Sequence, residues 1–218
     1  MSLKYNIRNS KDTKTYIYFQ PTENNRLDDV KTILEDDAKF DVYFNSDDSY
    51  KKVKEYVDRL ISKSEFLCKG LNPDYIVTSF DNADAVIIIG SSMNVLPNGN
   101  IFGFALINFD EKHNAIYIDV ICSHIGMKGV GEILMNEIEN INKKLSMTDI
   151  YLKSVKSAIS FYEKYGFTKH DKSCDDMCLM IKSIKSGGKK KTTKKQESKK
   201  RGKKTLTKKK KTAKKHRK

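Results

Sequence analysis

Apolar and polar positions along the chain fall into two spacings, and each predicts its own kind of element. Short continuous or alternating apolar runs over 15–19, 85–89, 101–109, 115–122, 149–155 and 177–184 predict strands. Helical spacing predicts four helices. One covers 27–38, through Leu27, Val30, Ile33 and Leu34; a second covers 49–67, through Val53, Tyr56, Val57, Leu60 and Ile61. A third runs over 129–145 on Val130, Ile133, Leu134, Ile138, Ile141 and Leu145, and a short amphipathic one over 156–165 is closed by Gly166. Pro97, Asn98 and Gly99 mark a turn, and Asp110–Asn114 is a hairpin-length connection. Residues 1–14 are polar and predicted loose. Strands that alternate with helices in this way argue for an α/β or α+β domain built on a mixed sheet.

After Lys185 the pattern stops, and the charge is concentrated there. The 218-residue chain carries 42 Lys+Arg against 28 Asp+Glu. Residues 186–218 hold 18 of those basic side chains and one acid, Glu197, which leaves 24 basic and 27 acidic residues before them. The net +14 therefore belongs to the tail, and the remainder is slightly acidic. A tract of Lys, Thr and Gly cannot bury enough apolar surface to offset chain entropy, so residues 186–218 are predicted to be disordered beside a single domain over 1–185. Lysine clusters of this kind follow a polyanion by charge without reading bases. No aromatic residue follows Phe167 to offer a stacking platform. Non-specific nucleic-acid association, nuclear localisation and a solubilising role all fit the tail.

Cys68, Cys122, Cys174 and Cys178 match no zinc spacing, so no metal is expected. With no apolar signal stretch and no run of the roughly 20 residues that span a bilayer, no membrane association is expected. Reduced thiols in a cytoplasmic or nuclear setting are the expectation from composition.

The chemistry concentrates between Asn114 and Gly166. The strand-like run over 115–122 ends at Ser123 and His124, and three glycines follow in six residues, Gly126, Gly129 and Gly131, before helical spacing sets in. A helix start carries unpaired N–H groups and partial positive charge, and glycine lets that backbone approach a phosphate. Met127–Gly131 reads as a phosphate-cradling turn, although the same glycines also suit a purely structural strand-to-helix turn.

About thirty residues on, Ala158-Ile-Ser-Phe-Tyr-Glu-Lys-Tyr-Gly-Phe167 supplies a second motif. With both motifs at this separation the sequence resembles the GNAT superfamily of acetyl-CoA-dependent N-acetyltransferases. Their phosphate motif is Gln/Arg-x-x-Gly-x-Gly/Ala and their later signature A-x-x-F-Y-x-x-x-G-F. Gly129 and Gly131 match the small positions of the first; Ala158, Phe161, Tyr162, Gly166 and Phe167 match the second in full. Gly126 departs from the Gln/Arg position, where Lys128 offers a nearby positive charge instead. The resemblance covers roughly 75–185.

The resemblance implies a mostly antiparallel mixed sheet flanked by helices, acetyl-CoA as co-substrate and an amine acceptor attacked directly. It implies that Met127, Lys128, Gly129, Val130 and Gly131 hold the pyrophosphate. It further implies that the strand Tyr117–Cys122 parts from its neighbour, so that Ile121, Cys122 and Ser123 bind the pantetheine arm like an added strand, with a backbone N–H near Ile121 polarising the thioester carbonyl. Tyr162 takes the general-acid position: a phenol of pKa about 10 can protonate a thiolate whose conjugate acid has a pKa of about 8.5–10 as charge develops. The bland alternative makes Tyr162 part of the packed face of a short helix with Phe161 and Tyr165. Asp119, mid-strand, is either the base for the incoming ammonium or a satisfied strand carboxylate. The acceptor is a protein lysine, a protein N-terminus or a small amine; a domain that binds coenzyme A with little activity and works through its basic tail is the alternative.

Overall fold

The computed structural model describes residues 5–6, 13–20, 26–35, 41–43, 71–91, 101–170 and 174–184, with Lys51, Lys54, Glu55, Asp58 and Cys68 as isolated positions. In chain order these form β1 (Tyr5–Asn6), β2 (Thr13–Phe19), α1 (Arg26–Glu35), β3 (Asp41–Tyr43), α2 (Pro73–Asn82), β4 (Ala85–Ser91), β5 (Ile101–Asp110) and β6 (Ala115–Ser123). β7 (Met127–Lys128), α3 (Val130–Lys144), β8 (Asp149–Val155), α4 (Ile159–Lys164), β9 (Thr168–Lys169) and β10 (Met177–Ser183) follow, with a 3₁₀ turn over Lys156–Ala158 leading into α4. All lie in the first of two units, Met1–Ser186. The tail, the turn expected over 94–100 and most of the helix expected over 49–67 lie outside the described residues; Lys51, Lys54, Glu55 and Asp58 of that helix are helical.

Eight strands make one mixed sheet in the order β3-β2-β4-β5-β6-β8-β10-β9. Only β2–β3 and β6–β8 are parallel; the other neighbours are antiparallel. This is the mostly antiparallel mixed sheet expected. β4 shows why its sequence is apolar throughout: Ala85, Ile87 and Ile89 enter the core on one face, Val86 and Ile88 the core on the other. α3 packs Val130, Leu134, Met135, Ile138 and Ile141 into the first core, and its last turn ends in Lys143 and Lys144, which suits the negative end of the helix dipole. α2 covers the second core through Ile76 and Phe80, the Phe80 ring lying 5.6 Å from that of Phe104.

Two expectations are corrected, and one helix is added to those expected. The stretch expected to be loose starts two strands: Tyr5–Asn6 pairs in parallel with Met127–Lys128, and Thr13–Lys14 open β2. A strand of two polar residues has no periodicity to read. α2 carries its start signal in two residues, Asn72 and Pro73: the Asn72 side chain accepts from the Asp74 N–H at 2.9 Å, and proline fits the first helical position. Last, the cysteines are not free thiols. Cys68 bonds to Cys122 and Cys174 to Cys178, and among the described residues no cysteine is left unpaired. A separation of 54 residues hides the first pairing from any spacing rule. Cysteine chemistry thus gives no argument for a reducing compartment. Among the described residues, no helix is long and apolar enough to cross a membrane.

Gly103 sets how closely β5, β6 and α3 approach. A Cβ there would stand 2.4 Å from Val130 Cγ1 and 2.5 Å from the Cys122 carbonyl oxygen. The carbonyl is fixed in the sheet, so relief needs strands to separate. Gly103→Ala is expected to lower unfolding free energy by about 1–3 kcal/mol, the range of an overpacked core. A urea midpoint equal to wild type would contradict this packing.

Candidate functional site

Two irregularities in β6 build the site. Leu106 pairs with Val120 and Ile107 with Ile118, so Asp119 is the extra residue of a bulge, the device that re-aims a side chain within a strand. On its other edge β6 pairs with β8 only from Ala115 to Ile118, while β8 runs on to Val155 beside β10. The two strands part after Ile118. Beyond that point the β6 backbone alternates. The His124 N–H donates to the Phe102 carbonyl at 2.8 Å, so by the antiparallel pattern Cys122 and Val120 turn their backbone groups to β5. Ile121 and Ser123 turn theirs toward the opening.

The chain then makes its glycine turn. The Gly126 N–H donates to His124 Nδ1 at 3.1 Å and the Met127 N–H to the His124 carbonyl at 3.0 Å. His124 therefore shapes the turn. Gly129 is the N-cap of α3, at φ 93°, a left-handed conformation that glycine adopts without strain. It supplies no side-chain cap, and the first helical bond is that from the Ile133 N–H to the Gly129 carbonyl. The N–H groups of Val130, Gly131 and Glu132 come before it, the orphan donors of a helix start. Gly131 is small for a second reason: a Cβ there would meet the Phe161 ring at 3.1 Å. The two motifs of the sequence touch at this point.

α4 closes the opening from the far side. Phe161 lies 5.1 Å from Tyr162 and 4.9 Å from Tyr165, and Tyr162 lies 5.8 Å from Phe167. That cluster fixes the Tyr162 ring, which is 7% exposed. Burial pushes the Tyr162 phenol up to about 12.

Two clefts result. The first, about 450 Å³, is lined by Ile121, Cys122, Ser123, Met127, Gly129, Val130, Gly131 and the acid Glu132, together with Ala158, Phe161, Tyr162, Lys164 and Tyr165. It brings together every expected cofactor residue except Lys128, which sits exposed on β7. Lys164 is the cation of this cleft that the sequence reading missed. Its signal was its place one turn after Phe161 on the amphipathic helix. The second cleft, about 370 Å³, is lined by Tyr75, Asp119, Ile125, Lys153, Val155 and Met177 among others, and shares Ile121, Cys122, Ser123, Ala158 and Tyr162 with the first. Asp119 belongs to this second cleft and is not in the first. Its Oδ1 accepts from the Tyr75 hydroxyl at 2.6 Å and from the Tyr117 hydroxyl at 3.3 Å. Burial, and then the neighbouring Asp119, raise both phenols above their ordinary range, so both stay protonated donors at neutral pH. Tyr75 was also missed; it rides on the helix that only its cap announced.

Residues 83–180 match the family model described as an acetyltransferase (GNAT) domain. No curated protein sequence matches the chain. Among solved structures, nourseothricin acetyltransferase is similar at 17% identity with a TM-score of 0.38, over 45% of this chain and 64% of its own. Ard1 from Thermoplasma volcanium is similar at 16% identity with a TM-score of 0.46, over 62% of this chain and 93% of its own. The yncA protein of Salmonella typhimurium, solved with its cofactor acetyl-CoA, is similar at 12% identity with a TM-score of 0.43, over 67% of this chain and 94% of its own. The chain thus spans less than two thirds of the length of the first of these.

Proposed function

We propose, from the match of residues 83–180 to the acetyltransferase (GNAT) domain model, that the chain is a GNAT acetyltransferase and transfers acetyl from acetyl-CoA to a primary amine by direct attack. One observation carries the reading. The two clefts share Ile121, Cys122, Ser123, Ala158 and Tyr162, on the part of β6 that has left β8 and on the segment that carries α4. A donor bound in one cleft and an acceptor bound in the other come together at these shared residues.

When bound, acetyl-CoA supplies the acetyl thioester, and the residues of the first cleft suit it. The turn Met127–Gly131 offers a pyrophosphate the orphan N–H groups at the head of α3, with Lys128 and Lys164 as the nearby cations in place of the family's Gln/Arg. Backbone groups of Ile121 and Ser123 face the opening and take up an extended pantetheine arm as a neighbouring strand would. The Ile121 N–H stabilises charge on the thioester oxygen. Tyr162 gives its hydroxyl proton to the departing thiolate. Asp119 draws the incoming ammonium and, directly or through water, accepts its proton.

Thiol release from acetyl-CoA, followed across a panel of amines with the full-length protein, tests this. Amine-dependent release supports acetyl transfer. Saturable coenzyme A binding without release on any amine would overturn it in favour of a binding protein acting through residues 186–218 on polyanions. Gly126 at the Gln/Arg position favours that second reading.

A further inference from the structure

Resting on acetyl transfer at this gap, we propose that the acceptor is the free α-amino end of a polypeptide whose leading residue is large and apolar. The rim of the second cleft carries the first part of the case. Tyr75 is 42% exposed, Ile125 47%, Val155 39% and Met177 46%, and all four line this one cleft. Among the described residues the other large hydrophobic exposed to this degree is Ile33, on α1. Four such side chains gathered at one mouth make a contact surface for an apolar group, where isolated ones would carry no meaning.

The floor has the opposite character. Asp119 is the one carboxylate among the described residues lining the cleft, and Lys153 the one cation. A carboxylate with tyrosine rings beside it attracts a single ammonium. The site thus asks for one positive charge flanked closely by apolar bulk. A polyamine brings further charges along its chain, which the rim does not match and Lys153 opposes. A lysine brings its amine on four methylenes, so its slender stem reaches the gap without setting bulk against the rim. An N-terminal residue carries its side chain on the carbon that bears the amine, which places both requirements within one residue.

Proton chemistry points the same way. An α-amino group has a pKa of about 7.7–8.0 and is partly neutral at working pH, whereas a lysine near 10.4 is almost wholly protonated. The second cleft holds no histidine among its described residues. The phenols of Tyr75, Tyr117 and Tyr162 are all raised and keep their protons. Asp119 Oδ1 already accepts two hydroxyls. An amine that sheds its proton near neutrality suits such a cleft; one that needs a strong base does not.

The test is thiol release with the full-length protein, saturating acetyl-CoA and peptides of one sequence that differ only in the leading residue: Leu, Met, Phe, Ser or Glu. An N-terminally blocked peptide with one internal lysine, and spermidine, complete the panel. The apolar leaders are expected to give kcat/KM at least tenfold above every other acceptor. Ile125→Ser combined with Met177→Ser is expected to bring Leu and Ser leaders within about threefold of each other, with the KM for acetyl-CoA unchanged, since differential contact of this kind discriminates by about 10–200-fold. A best rate with the lysine peptide or spermidine, or equal rates for all leaders, overturns the proposal and leaves acetyl transfer standing. Bound acetyl-CoA with no turnover on any acceptor overturns both.

Discussion

Tyr162→Phe is expected to lower kcat for amine-dependent thiol release at least tenfold at neutral pH, with the KM for acetyl-CoA within twofold of wild type. Loss of a positioned acid typically removes about 10²–10⁴-fold, so tenfold is a floor. The substitution deletes one oxygen from a ring already held by Phe161 and Phe167, so the packing stays while the proton is lost. The phenol at about 12 is a weaker acid than a free one, which at first counts against the role. The burial that raises it, however, disfavours any anion in the same pocket, so a thiolate leaving there is also a stronger base than in water, and donor and acceptor stay matched. The sign of the pH dependence follows. Because the folded-state value is raised, Tyr162 keeps its proton well above pH 10 and produces no alkaline fall in activity between pH 7 and 10, where amine deprotonation raises the rate. The same shift gives stability that is present below pH 10 and fades as pH rises toward 12. A mutant with unchanged kcat, or a wild-type rate that falls with a pKa near 8, would remove Tyr162 from the reaction.

What the sequence disclosed and what it hid divide along physical lines. The apolar run of β4, the run of β6, the glycine turn and the A-x-x-F-Y-x-x-x-G-F helix are each written within a few consecutive residues, and each is found where the pattern places it. Their meeting was only half legible. Both motifs were visible, but the contact between Gly131 and Phe161 depends on how α3 and α4 pack across the sheet. The second cleft was almost closed to reading. Asp119 stood out as a carboxylate in a strand, yet nothing local says that it occupies a bulge, because the extra residue is defined against β5. Tyr75 lies 44 residues before the carboxylate it binds, on a helix whose cap is two residues long. Local patterns report what one segment does with its own face; contacts between distant segments leave no periodicity. In this protein the first cleft belongs to the first class and the second cleft to the second.

The Cys68–Cys122 bond belongs to that second class, and its removal is expected to be the largest stability change that two substitutions produce. It closes a 54-residue stretch, and the chain-entropy relation for a loop of that size gives about 4 kcal/mol of stabilisation at 25 °C. With a urea slope of about 2 kcal/mol per molar for a domain of this size, the midpoint of the Cys68→Ser, Cys122→Ser protein should fall by about 2 M. By the same relation the remaining bond, Cys174–Cys178, which spans only four residues, adds about 2 kcal/mol, so reductant should lower the wild-type midpoint by about 3 M and that of the double variant by about 1 M. The bond also tethers Cys68, just ahead of α2, to the strand that carries Asp119, so it helps hold Tyr75 over the second cleft. Its loss should therefore raise the KM for the amine more than the KM for acetyl-CoA, a split that general loosening of the fold would not give. Thiol titration in denaturant settles the premise: no reactive thiols before reduction and four after it are expected, whereas four at the outset, with an unchanged midpoint in the double variant, would show that the fold stands without the bond.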